Sequence, residues 1–278
     1  MAVIRKKIMG PPGTGKTHRL VHHYLNEEIN NLHTDPQKIA YVTFTKAAAL
    51  DGSKKVQDVF PGVELLYIST LHAMGTRELD ISRKQILTGT KWIQFKNVYP
   101  VYSDINFDSY VNEHGVTINQ DRNLQVINYS RAKLITLEKA CIDLNYHEGA
   151  VDIFRVQQLE RDIEYYKGQK NMYEFSDMIK LFVDEEKHLA LDAIFLDEAQ
   201  DLNPSQWKMF FYIEALCKRS YIAGDDDQTI FKFQGAESNI FIDLEGERDD
   251  QEQSYRVPKA VHEQALKILP HITKRVDK

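Results

Sequence analysis

The sequence predicts an α/β fold, a parallel sheet flanked by helices and carrying a mainly helical insertion. Three observations predict it. Short apolar runs end one after another in polar residues, as buried parallel strands do. The first of them leads at once into GPPGTGKT, Gly10 to Thr17, a glycine-rich loop that requires a strand before it and a helix behind it. The middle third of the chain then changes period, and its apolar residues recur at helical spacing.

Taken in chain order, the first strand ends at Ile8 and Met9, and the helix behind the loop is marked by Leu20, Tyr24 and Leu25. IAYVTFT, 39–45, is β-branched and aromatic, with Pro36 before it and an alanine-rich helical start after it, so it reads as a buried strand. Val63 to Ser69 reads likewise. Residues 88–120 contain Pro100, Gly115 and several Asn and Asp, which predicts loops with one or two short helices. Leu124, Ile127, Leu134, Leu137, Cys141 and Leu144, and then Val156, Leu159, Ile163 and Tyr166, predict helices of an insertion. Ala193 to Leu196 and Arg219 to Ala223 are further strands, the first ending in Asp197 and Glu198 and the second in Gly224 and Asp225. In an open parallel sheet ligands bind outside the carboxyl ends of the strands, so these polar ends converge with the glycine-rich loop on one edge. The acids between Asp243 and Glu252 face only Arg248 and read as a solvated loop.

With 278 residues the chain is long enough for a sizeable core with a second, inserted unit. No apolar run approaches the length of a membrane span, and no apolar segment of signal-peptide type follows Arg5, Lys6 and Lys7. Cys141 and Cys217 match no metal-ligand spacing and read as buried small hydrophobes in a reducing compartment. A net charge of −6 argues against coating nucleic acid through overall charge but leaves local contact open.

GPPGTGKT is a P-loop. Glycines at 10, 13 and 15 free the backbone to turn successive N–H groups toward phosphate oxygens. Lys16 is placed to reach the β and γ phosphates of a nucleotide, and the Thr17 hydroxyl to ligate Mg²⁺. Chemistry on a triphosphate needs a second, acidic site, which IFLDEAQD supplies at a strand end. Asp197 is the candidate Mg²⁺ carboxylate, and Glu198 is the candidate for orienting and deprotonating water.

The order and wording of these segments resemble superfamily 1 DNA helicases of the UvrD/Rep/PcrA type. GPPGTGKT, YVTFTKAAA (41–49), ISTLHAM (68–74), YEFSDMIKLF (173–182), FLDEAQDLNPSQ (195–206), AGDDDQTIFKFQGA (223–236) and QSYRVP (253–258) stand in that family's order. The resemblance implies the N-terminal half of an ATP-dependent DNA helicase with a RecA-like P-loop NTPase fold. Residues 1–75 and 183–245 would form the discontinuous ATP-binding domain, 76–182 the mainly helical insertion, and 246–278 the start of a truncated second RecA-like domain or a tail.

It also implies further roles. ATP would be held by Gly10, Pro11, Pro12, Gly13, Thr14, Gly15, Lys16, Thr17 and His18, with Tyr255 stacking on adenine. Gln228 would sense the γ-phosphate and the attacking water, and Arg256 would contact the γ-phosphate across a cleft. Phe44, Phe231 and Phe233 would stack on the bases of single-stranded DNA, or of a single/double-strand junction, and Thr45, Thr70 and His72 would contact its backbone. The expected setting is DNA repair or replication in the cytoplasm of a bacterium or a phage-infected host, with no membrane partner.

The sequence departs from the family's pattern at three places: no glutamine precedes the P-loop, Phe233 is followed by Gln234 rather than arginine, and the later arginine motifs do not follow QSYRVP. Translocation would then need a second RecA-like domain, supplied for example by another chain. The alternative expectation is a module that binds ATP and single-stranded DNA without translocating.

Overall fold

The computed structural model describes residues 3–111, 117–146, 149–225, 231–251, 253–256, 258, 261, 263, 264 and 267. β1 (Ile4–Met9) precedes the P-loop. α1 (Lys16–His18) continues with π winding through Arg19–Leu25 and Glu27–Asn31. β2 (Ile39–Thr43), α2 (Lys46–Val59), β3 (Tyr67–Thr70) and α3 (Leu71–Glu78) follow. The insertion comprises α4 (Thr90–Val98), a short hairpin of β4 (Ser109–Val111) and β5 (Thr117–Asn119), α5 (Arg122–Lys133), α6 (Leu137–Asp143) and α7 (Ile153–Lys170). The chain returns through α8 (Phe175–Asp184), β6 (Ala193–Asp197), α9 (Pro204–Glu214), β7 (Arg219–Gly224), α10 (Ser238–Asp243) and β8 (Glu247–Asp250).

The α/β fold predicted from sequence is the one observed. Its main sheet has six strands in the order β3-β2-β6-β7-β1-β8, and every pairing in it is parallel. β2 and β6 are buried along their whole length, which is why their sequences run largely apolar up to the polar ends at Thr43 and Asp197 rather than alternating. Successive residues still divide between two cores. Ala40, Val42, Ile194, Leu196 and Ile222 enter one apolar cluster, with Trp207, Phe210 and Phe241. Ile39, Tyr41, Ala193, Phe195 and Tyr221 enter the other, with Leu20, Tyr24 and Val56. The insertion builds a separate cluster around Phe95, Tyr102, Ile127, Leu159 and Tyr166. Among the described residues no helix is long and apolar enough to cross a membrane.

Several sequence expectations need correction. The strand read over 39–45 stops at Thr43, because Thr45 turns to cap α2 by accepting from the Ala48 N–H at 3.1 Å. The run read from Val63 becomes strand only at Tyr67, after a turn through Pro61 and Gly62, whose φ is +81°. The acidic stretch read as a loop contains β8, a charged edge strand beside β1; charges suit an edge because one flank stays in water. Leu134 is 57 % exposed and ends α5 in the left-handed region, so it lies outside the helical core stripe. Cys217 is buried as expected, Cys141 only partly, and both are free thiols.

Candidate nucleotide-binding site

The P-loop lies between β1, next to last in the sheet order, and α1. Gly13 and Gly15 have φ of +75° and +86°, a region closed to most side chains. Gly13 is constrained a second time, because a Cβ there would lie 2.4 Å from Arg256 Cβ. At Gly10 a Cβ would lie 2.5 Å from the Gln251 carbonyl. The loop is braced internally: Thr14 Oγ1 donates to the Pro11 carbonyl at 2.9 Å. Lys16 is buried, and its ammonium donates to the Gly10 and Pro11 carbonyls at 2.7 and 3.2 Å. A cation folded over a glycine cradle at a helix start suits an anionic phosphate. His18 continues the helix and stacks on His22 at 3.8 Å between ring centroids.

The carboxylate arrives from β6, the third strand of the sheet, which ends at Asp197 opposite Thr43 of β2. Thr17 Oγ1 donates to Asp197 Oδ2 at 2.7 Å, so the loop and the acidic strand end meet although 180 residues separate them. Tyr41 donates to the same oxygen at 2.8 Å, and the Glu198 N–H to Oδ1 at 3.1 Å. A hydroxyl and a carboxylate are hard oxygen donors and suit Mg²⁺, which is held by one or two protein oxygens together with substrate phosphates. Among the described residues no group of three or more His, Cys, Asp or Glu is placed to hold a metal ion.

Glu198 occupies the left-handed region at φ 58° and ψ 45°, a conformation that costs a non-glycine residue about 1–2 kcal/mol. Gln200 Nε2 donates to Glu198 Oε2 at 2.8 Å, while Gln200 Oε1 accepts the Asp225 N–H at 2.9 Å. Buried Gln200 therefore links the acidic turn to the end of β7. Burial pushes the Glu198 carboxyl above its ordinary range, and the charge of Asp197 adds to that; its hydrogen bond to Gln200 and the charge of Lys16 oppose it. Asp201 is pushed up to about 8 by burial, with Glu198 and Asp225 contributing. Its Oδ1 is buried with no hydrogen-bond partner among the described residues. Burial also raises the Tyr41 phenol well above its usual value, keeping it a donor.

QSYRVP reaches the loop from outside the main sheet. Ser254 Oγ donates to the Pro12 carbonyl and the Tyr255 N–H to the Gly13 carbonyl, both at 2.8 Å. The Tyr255 and Arg256 side chains are exposed beside the P-loop, Tyr255 by 78 %. Gln228 lies outside the described residues.

The residues expected at DNA gather at the adjoining sheet edge. Phe44, half-buried, packs on Phe231 at 4.9 Å, and Phe231 on Phe233 at 6.2 Å between centroids. Phe231 is 4 % exposed and Phe233 49 %, so Phe233 offers the open face. Thr45 and Thr70 cap α2 and α3, accepting from the Ala48 and Ala73 N–H groups at 3.1 and 3.2 Å. Burial pushes His72 down to about 4, so the imidazole is neutral and suited to hydrogen bonding rather than ion pairing with phosphate. Sequence reading missed Tyr41, Gln200 and Asp201 at the site. Only one signal pointed to any of them, a hydroxyl-bearing residue within an otherwise apolar buried strand.

A family model described as the UvrD/REP helicase N-terminal domain matches residues 5–249. The ATP-dependent DNA helicase PcrA of Bacillus subtilis (strain 168) is 26% identical over 298 residues, which cover 98% of this chain and 38% of the relative. PcrA of Leuconostoc citreum is 23% identical over 301 residues, with 98% and 38% covered. The ATP-dependent DNA helicase Rep of Buchnera aphidicola subsp. Baizongia pistaciae is 25% identical over 259 residues, 85% of this chain and 36% of the relative. The chain thus spans well under half the length of these relatives.

Proposed function

This chain belongs to the UvrD/REP helicase N-terminal domain family, and from that premise we propose that it binds ATP with Mg²⁺ at the P-loop, hydrolyses it, and couples hydrolysis to single-stranded DNA. The observation that carries the reading is the Thr17–Asp197 hydrogen bond, which joins the phosphate loop to the acidic strand end. Magnesium, when bound, supplies positive charge for the phosphate oxygens and is held by Thr17 and Asp197. Lys16 leaves the carbonyls of its own loop for the β and γ phosphates, while the N–H groups of residues 13–17 cradle them. Glu198, its basicity raised by burial and its side chain held by Gln200, takes the proton of the attacking water. Arg256 brings a planar guanidinium to the open side of the loop, where it spreads the developing charge, and Tyr255 beside it offers a face for adenine. Gln228 completes the set as the group that senses the γ-phosphate.

DNA lies along the sheet edge marked by Phe44, Phe231 and Phe233, with Thr45, Thr70 and His72 beneath it. The proposal includes the division into a discontinuous ATP-binding domain, 1–75 and 183–245, and an inserted helical unit, 76–182; the separate apolar cluster between Leu87 and Tyr166 supports an inserted unit, while Ile179 and Phe182 of α8 pack into the cluster of the sheet. It includes work in the cytoplasm, in DNA repair or replication, and movement along DNA in concert with a second RecA-like domain.

The test is steady-state ATP turnover with and without single-stranded DNA, for wild type and Phe233→Ala. One lost base stack is worth about 1–3 kcal/mol, so the variant needs about 5- to 150-fold more DNA for half-maximal stimulation, with turnover in its absence unchanged. Turnover that ignores DNA in wild type contradicts the coupling.

A further inference from the structure

Tyr41 is fully buried in the middle of β2, where every other residue except Thr43 at the strand end is aliphatic. Its register partner on β6 is Phe195, and the two rings stack at 6.4 Å between centroids. Asp197 stands two residues further along β6 on the same face, about 6.6 Å away along the strand. The tyrosine spans that interval and donates to Asp197 Oδ2 at 2.8 Å, the oxygen that also accepts from Thr17 at 2.7 Å. With the Glu198 N–H on Oδ1, the carboxylate is held from three directions and has one rotational setting.

The helix over this strand accommodates the ring. Gly52 lies in the interior of α2, where glycine costs about 1 kcal/mol relative to alanine. A Cβ at that position would stand 2.9 Å from Tyr41 Cε1, so an alanine there would press on the ring.

We propose that Tyr41 is a positioning residue of the ATP site, its phenol fixing the Asp197 carboxylate in the orientation that receives magnesium, with Gly52 providing the space the ring requires. The assignment rests on the ATP-binding reading above. Tyr41 touches neither nucleotide nor reacting water in this account; it acts through Asp197. Outer hydrogen bonds of this kind set the orientation and basicity of metal ligands, and removing one typically costs 10- to 100-fold in metal affinity or activity.

The experiment is binding of a fluorescent ATP analogue across a magnesium titration and in EDTA, for wild type, Tyr41→Phe, Gly52→Ala and the double variant, with thermal melts of each. Tyr41→Phe keeps the ring and removes only the donor. It is expected to raise the magnesium concentration for half-maximal binding about 10-fold, while affinity in EDTA stays at the wild-type value. Gly52→Ala is expected to shift the magnesium midpoint in the same direction by pushing the ring. Adding it to Tyr41→Phe produces no further shift, because both act through one hydrogen bond. A Tyr41→Phe midpoint within about twofold of wild type overturns the assignment, as does an equal loss of affinity in EDTA. If wild type itself fails to bind the analogue, the ATP-binding reading falls and this assignment with it. Wild-type binding with an unmoved variant removes this assignment alone.

Discussion

Glu198 combines three costs at one position: a left-handed backbone, burial, and a like-charged neighbour. Such strain persists where the surrounding structure over-determines it, and here Gln200 and the Asp197 carboxylate do so from both sides. Asp197 and Glu198 were legible in sequence because a carboxylate pair at the end of an apolar run is a local pattern. Tyr41, Gln200 and Asp201 were not, since each owes its role to partners that only the folded sheet brings together. Asp201 carries a pH prediction. Its folded pKa of about 8 lies above the ordinary carboxyl value of about 3.9, so the native state retains a proton that the unfolded chain has released. The stability this group contributes is complete below about pH 4 and is lost as the pH rises through about 8. Asp201→Asn keeps the neutral shape at every pH, so urea unfolding should show it gaining on wild type between about pH 5 and about pH 9. An offset between the two proteins that is the same at both pH values would contradict this account of Asp201.

At the scale of elements, the insertion is joined by charge to α8 and to the segment before α10. Lys167 of α7 is 4 % exposed and donates to Asp177 of α8 at 2.8 Å and to Glu174, which precedes α8, at 3.1 Å. Arg131 of α5 bonds Glu174 at 2.6 Å and reaches Glu160 and Glu164 of α7. The end of α5 also meets the loop behind Phe233, through Lys133 to Glu237 at 2.5 Å and through Ala132 against Gly235. A sequence pattern shows the helices but not this network, because charged residues on a helix look alike whether they face water or one another. For the same reason β8 escaped notice, as a strand made of acids and one arginine lacks the apolar alternation that marks a sheet. Removing one partner of a buried ionic group leaves the others uncompensated, so Lys167→Ala is expected to lower unfolding free energy by about 3–5 kcal/mol. A loss under about 1 kcal/mol in denaturant unfolding would mean that the network contributes little.

Across the whole molecule, the sheet order places β6 and β1 on either side of β7, so that the acidic strand end faces the P-loop, with the end of β7 between them. That arrangement was legible from strand ends and loop together, whereas the antiparallel hairpin within the insertion was not, its strands being three residues each. The same edge carries the aromatic set at Phe44, Phe231 and Phe233, so the proposed nucleotide site and the proposed stacking surface share one edge of the sheet. We propose that this edge hydrolyses ATP with Glu198 as the base. The most direct test is single-turnover hydrolysis of prebound Mg·ATP by wild type and Glu198→Gln, with nucleotide affinity measured in parallel. Equal affinity and a chemical step slowed at least about 100-fold in the variant are expected. Equal rates in the two proteins would contradict the proposal.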